Sequence, residues 1–298
     1  MNPLDILLSG QLLFAALLTG ALYAIVAVGL NMVYGTMRLL NVAHGDIVMI
    51  GAYAAYWLFT AAGVSPLWSL FVVAGGCALL GMGLYKVLLR RVMARPASTA
   101  QLEANSLLLF FGLSLLIQNA MVTLQTATPR AYTYFDQVYR VGALAMTGNR
   151  LLSLLVALAV CAAIALFLQR SIFGLALRAV IERSDAARIV GVNVERVHLI
   201  SLALGFGAAG VAGVLISMME QFSPFIGFPM TIAAFIVIIL GGLGNISAGF
   251  AAAMLLGAIE VYGVALTSPN MRSVLLYGVF VLALILLPKG LFPRRFKK

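Results

Sequence analysis

Between Gln221 and Ile259 the chain carries no aspartate, glutamate, lysine or arginine. A soluble fold cannot hide so long an uninterrupted apolar stretch, because its surface must be interrupted by charge. Similar runs recur along the whole sequence. Hydrophobic residues make up 63% of the chain and charged residues 9%, against about 25% charged in ordinary soluble domains. The solvent for this chain is therefore lipid. The runs are continuous and do not alternate, which predicts helices in place of a β-barrel.

A span needs roughly 20 apolar residues. Runs of that kind fall at about 10–34, 45–62, 66–88, 104–125, 151–169, 198–219, 228–244, 248–267 and 273–288. The expectation is an all-α, polytopic helical membrane protein of about nine transmembrane helices, a single domain over 1–298. The uncharged stretch holds either two spans with a tight turn at Gly241-Gly242-Leu243-Gly244-Asn245 or one span and a re-entrant segment. Three sets of small residues recur at a four-residue spacing: Ala16–Gly20–Ala24, Gly205–Ala209–Gly213 and Gly249–Ala253–Gly257. Such sets let helices approach closely in lipid. Cys77 and Cys161 lie in apolar runs and read as packed thiols. The N-terminus, MNPLDILLSGQ, lacks the basic region of a cleavable signal peptide.

The formal net charge is +10. The basic residues sit at span ends, so the positive-inside rule accounts for them and nucleic acid is not implied. With the N-terminus outside, Arg38, the Lys86–Arg95 cluster, the arginines of 170–198 and the basic tail at 289–298 face the cytoplasm. Only Arg130, Arg140, Arg150 and Arg272 face out. This predicts N-out and C-in, with 125–150 as an external loop. That loop, containing TPRAYTYFDQVYR, is either an interfacial aromatic belt or a docking surface.

The segment Arg170–His198 stands apart. It is a charged island between uncharged runs, with five arginines and three acids, and its middle has the pattern of an amphipathic helix. The orientation count makes it cytoplasmic.

Ionisable and amide groups inside spans are rare and usually functional. Asn41, His44 and Asp46 cluster beside Gly45 at a span junction. That pattern suggests a broken helix whose end faces a cavity or is stitched by hydrogen bonds to exposed backbone. Glu260 lies well inside a span, lining a water path or bonding a neighbouring helix. Asn31, Gln118, Asn119 and Asn245 complete the candidates for a translocation pathway. Glu220 is expected at a solvated interface. One histidine and one aspartate are too few for a metal site. GGLGNISAG lacks the GK[ST] of a phosphate loop, and no Ser-His-Asp, CxxC or HExxH arrangement is placed for catalysis. No catalytic, cofactor-binding or metal-binding residue is expected in this chain, and it is not expected to be an enzyme.

Three blocks carry a family resemblance: GALYAIVAVGLNMVYGTMRLLNVAHGDIVMIGAYAA, FGLALRAVIERSDAARIVGVNVERVHLISLALGFGAAGVAGVL and AAFIVIILGGLGNISAGFAAAMLLGAIE. In this order they resemble the shorter, first-type permease subunits of branched-chain amino-acid ABC importers. Urea and short-amide importer permeases are closely similar. The resemblance implies a second homologous permease, two cytoplasmic ATPases that bind ATP and Mg, and a periplasmic or extracellular substrate-binding protein. It also implies a multi-pass location in a bacterial inner membrane. It places the coupling helix on Glu182–Val192, with Glu182, Arg183, Asp185, Ala187, Arg188 and Gly191 as coupling residues. Ala179, Val180, Ala187, Ile189 and Val190 are then expected to pack, the charged residues to make charge-assisted contacts, and Gly191 to permit a tight turn. The implied cargo is a branched-chain or other hydrophobic amino acid, moved by alternating access. A rival from another class is an ion-coupled secondary transporter or channel, using His44, Asp46 or Glu260.

Overall fold

In lipid every backbone polar group must be satisfied within the chain, and the polypeptide meets that demand with helices. The computed structural model describes residues 9–93, 98–141, 144–286 and 290–291. Most of the expected basic tail, and Arg95, lie outside the described residues. Helix α1 spans Gly10–Met37, α2 His44–Thr60, α3 Pro66–Met93 and α4 Thr99–Gln125. A hairpin of β1 (Val138–Val141) and β2 (Leu144–Thr147) leads into α5, Gly148–Arg170. Two short helices follow, α6 (Ile172–Glu182) and α7 (Ser184–Ile189). The chain closes with α8 (Val194–Ser217), α9 (Gly227–Gly241), α10 (Ile246–Leu266) and α11 (Arg272–Leu286).

The fold class is all-α and polytopic. The hairpin is its one two-stranded exception among the described residues, paired antiparallel from Val138↔Thr147 to Val141↔Leu144. Seven stretches are long and apolar enough to cross a membrane: α1, α3, α4, α5, α8, α10 and Pro269–Leu286, which contains α11. The two remaining expected spans are helical but shorter, 17 residues in α2 and 15 in α9. At ~1.5 Å per residue, 15 residues reach about 22 Å, less than the ~30 Å of hydrocarbon.

Helices α1 and α8 form the buried centre. They cross at Gly29 and Gly205: a Cβ on Gly29 would stand 2.7 Å from the Gly205 carbonyl oxygen, so only hydrogen fits. The other small-residue sets meet each other. Ala16–Gly20–Ala24 on α1 lies against Gly249–Ala253–Gly257 on α10, where a Cβ on Gly257 would stand 2.7 Å from the Gly20 Cα. Dispersion between close backbones replaces the hydrophobic drive that lipid does not supply. His198 ties α8 to α1 through Nε2 and the Thr36 carbonyl at 3.1 Å. Large apolar side chains on α3, α4 and α11, among them Phe71, Leu108 and Ile285, are exposed. Side-chain oxygens cap the helices that begin in the irregular segments. Ser98 starts α4, Ser171 α6, Asn193 α8 and Asn245 α10. Cys77 and Cys161 are free and buried.

Candidate functional site

The first break lies between α1 and α2. Arg38 ends α1 in the left-handed conformation (φ 55°), with its N–H on the Tyr34 carbonyl. The next residues do not extend the chain onward. They fold back along α1, so that His44 at the start of α2 places Nε2 3.1 Å from the carbonyl oxygen of Val26, near the middle of α1. The α2 N-terminus therefore sits deep inside the bundle. There it meets the N-terminus of α9. The Gly45 N–H donates to the Thr231 hydroxyl at 2.9 Å, and Thr231 donates to the Val42 carbonyl at 2.9 Å. A Cβ on Gly227 would stand 3.0 Å from the Asp46 Cα. Asp46 receives the amide of Gln118 from α4 at 3.1 Å. Asn41, His44 and Asp46 are almost fully buried. Both side-chain polar atoms of Asn41, Nδ1 of His44 and Oδ2 of Asp46 have no protein partner. Two half-length helices that begin together inside a bundle, with a carboxylate between them, form a polar junction that apolar packing alone does not require.

The second break is the glycine turn. Gly242 (φ 90°) and Gly244 (φ 81°) both adopt left-handed backbone that β-carbon residues avoid. The Gly244 N–H donates to the Asn31 side-chain oxygen at 2.8 Å, and the Asn245 oxygen accepts from the Ala248 N–H. Asn31 thus stitches this turn to α1, and Asn245 caps the start of α10. The uncharged stretch accordingly holds α9, too short to span, and a tight turn into α10.

Glu260 is buried in α10, and both of its oxygens are engaged. The Tyr23 hydroxyl donates to Oε2, and the Arg272 Nε donates to Oε1 at 2.5 Å. Asn119 behaves differently from its neighbour Gln118. It is exposed, and its side-chain amide donates to the Leu115 carbonyl of its own helix. The pathway candidates therefore form three groups: Asn41, His44, Asp46 and Gln118 at the deep junction, Asn31 and Asn245 at the glycine turn, and Glu260 toward the far end of α10. Tyr23, Thr231 and Arg272 complete these groups but have no sequence signal of their own. Tyr23 and Thr231 sit in apolar runs, and their partners are 237 and 186 residues away.

The aromatic loop at 125–150 works as a clasp. Tyr132 bonds Ser217 at 3.0 Å and packs on Phe59 with ring centroids 4.9 Å apart, while Tyr134 bonds Ser65 at 3.0 Å. Burial raises the Tyr132 phenol above its ordinary pKa, opposed by its bond to Ser217. Glu220 is exposed.

The island folds as two helices with a break at Arg183, whose backbone is extended (φ −154°, ψ 102°). Leu177 and Val180 of α6, Ala187 of α7 and Val194 and Val197 of α8 form a small core with Met32 of α1 and Leu168 of α5. Arg178 caps the end of α5 through the Leu168 carbonyl at 2.6 Å. Helix α7 ends in a reverse turn. The Gly191 N–H donates to the Arg188 carbonyl at 3.1 Å and the Val192 N–H to the Ala187 carbonyl at 3.0 Å, with Gly191 at φ 86°. The tight turn expected at Gly191 is present. Packing of Ile189 and Val190 is not: they are 87% and 77% exposed. A six-residue helix turns one narrow face inward, and Ala187 occupies it. Glu182, Arg183, Asp185 and Arg188 are exposed around this apolar tip.

Comparison with known proteins gives this geometry its context. The family described as branched-chain amino acid transport system / permease component matches residues 12–284. The chain belongs to this permease family. The permease is 28% identical to the high-affinity branched-chain amino acid transport system permease protein LivH of Salmonella typhimurium, over 95% of each chain. It is 29% identical to the corresponding protein BraD of Pseudomonas aeruginosa, again over 95% of each. A probable branched-chain amino acid transport permease, LivH of Methanocaldococcus jannaschii, is 27% identical over 97% of this permease and 94% of its own length. No solved structure matches. The permease is thus a membrane transport component. Among its described residues no group of three or more His, Cys, Asp or Glu is placed to hold a metal ion.

Proposed function

We propose that this permease is a transmembrane subunit of an ATP-driven importer for branched-chain or other hydrophobic amino acids. The observation that carries the proposal is the island. A short helix with an exposed apolar tip, ringed by Glu182, Arg183, Asp185 and Arg188, is fixed by its own core to the ends of α1, α5 and α8. A tip of that composition fits a groove on a soluble partner, and its rigid footing transmits a push to three spans at once. With the N-terminus outside, as the basic residues require, this tip faces the cytoplasm, where ATP is held by separate ATPase subunits. A second homologous permease completes the pathway and an external binding protein delivers the cargo. The names of the relatives support the amino-acid class, and the few charged groups inside the bundle suit a net-neutral solute.

Alternating access then moves the two short helices. Helices α2 and α9 begin together at the deep junction and end at opposite ends of the bundle. Tilting at their shared start opens one side while closing the other. The test is uptake of L-leucine by proteoliposomes holding the permease, its partner permease, the ATPases and the binding protein. Uptake that needs ATP and survives collapse of proton and sodium gradients supports the proposal. Gradient-driven uptake by the permease alone, without ATPases, overturns it.

A further inference from the structure

Two cavities open at the end of the bundle opposite the island. One, of about 750 Å³, lies between the first half of α1, the hairpin and the end of α10. The other, of about 360 Å³, lies between α1, the 216–232 segment and the start of α11. Thr19, Leu22, Met219, Glu220 and Arg272 line both, so these five residues form the seam where the cavities join. The second cavity continues to Ile226, Pro229 and Met230, at the start of α9, where Gly227 abuts Asp46. The seam therefore lies between the open end of the bundle and the deep polar junction.

The chemistry of the seam is specific. Arg272 is held from behind: its Nε donates to buried Glu260, which also accepts from the Tyr23 hydroxyl. With both Glu260 oxygens occupied, that carboxylate serves to orient the guanidinium. A guanidinium carries five N–H donors in a rigid fork, and the Nε–H is only one of them. The Arg272 side chain remains 49% exposed, so part of its fork is open to a second carboxylate. Glu220 supplies an exposed anion on the same seam. Leu22 and Met219 supply aliphatic surface, and methionine adapts to branched shapes. One oriented cation, one anion and an apolar wall are the complement of a zwitterion with an aliphatic side chain.

We propose that this seam binds an aliphatic α-amino acid on the permease itself, with Arg272 holding the carboxylate, Glu220 the ammonium group, and Leu22 and Met219 the side chain. The choice of an amino acid rests on the importer reading above. On this account the permease checks the cargo after the binding protein releases it, and Glu260 and Tyr23 act as positioning residues for Arg272.

The test places a reporter thiol on the seam, in Thr19→Cys. The two native cysteines are buried, so a polar maleimide reads the new thiol. The full-length permease is held in lipid nanodiscs and alkylated with L-leucine, with 3-methylbutylamine (which lacks the carboxylate) or with 4-methylpentanoate (which lacks the ammonium group). L-leucine at ten times its Kd slows alkylation about ten-fold by mass action, while neither truncated compound protects at the same concentration. Glu220→Gln, at an exposed position, and Arg272→Lys, which keeps the charge but loses the fork, each raise the leucine concentration required about ten-fold. Equal protection by all three compounds, protection by none, or protection by bound lipid in every sample overturns the proposal. Loss of protection while the assembled transporter still imports leucine removes this site and leaves the importer reading standing. Protection without any ATP-driven uptake keeps the site and removes that reading.

Discussion

The bundle centre and the island are built on opposite principles. At the centre, α1, α2, α8 and α10 approach backbone to backbone at glycines. At the island, α6 and α7 rest on a few aliphatic side chains and expose an apolar tip. Those crossings leave no room for an added side chain. The island is locally stable yet separable, with the character of a surface that receives a force from outside.

That contrast is broken most severely at the centre. Gly205→Leu drives a side chain into the Gly29 carbonyl, which a Cβ alone would approach to 2.9 Å. Overpacking of this kind costs about 3 kcal/mol, and the expected result in detergent is loss of the monodisperse folded permease on size exclusion. Next comes the buried ion pair. Arg272→Ala leaves the Glu260 carboxylate with Tyr23 alone. Because the arginine is half exposed, the cost is about 2 kcal/mol, below that of a fully buried pair. Thermal unfolding should show the deficit, and adding Glu260→Gln should recover part of it.

At the island the effects stay local. Ala187→Asp puts a carboxylate into the small core under α7. Proteolysis between 183 and 192 should rise about ten-fold through local opening, with the melting temperature of the bundle unchanged. A matching fall in bundle stability would show that the island is continuous with the centre. The smallest effect is Gly191→Ala, where a β-carbon at φ 86° costs about 1 kcal/mol. It should loosen the turn after α7 and barely move global unfolding.

Much of this architecture is legible in the sequence. Continuous apolar runs locate the helices, and the small-residue sets predict close crossings. They do not say that Ala16–Gly20–Ala24 meets Gly249–Ala253–Gly257, because a ladder does not name its partner. The break beside Gly45 is visible as Asn41, His44 and Asp46 gathered at one junction. Its mate, the start of α9 with Thr231, is invisible, since a threonine in an apolar run has no periodic signature. Glu260 stands out as a carboxylate inside a span. Arg272 looks like an ordinary outward-facing charge until the fold carries α11 back against α10. The island is plain from its charge, but the break at Arg183 is not. Ile189 and Val190 look like core residues by type, and only the direction of a six-residue helix sends them outward.

The account turns on the exposed tip of α7 as the place where ATP-driven force enters. Replacing both Ile189→Asp and Val190→Asp changes two exposed side chains and none of the buried core. The deciding measurement is ATP-dependent L-leucine uptake by the assembled transporter carrying this pair. The account predicts uptake reduced at least about ten-fold, equivalent to ~1.4 kcal/mol or more of coupling, with folding of the permease intact. Uptake at the wild-type rate contradicts it.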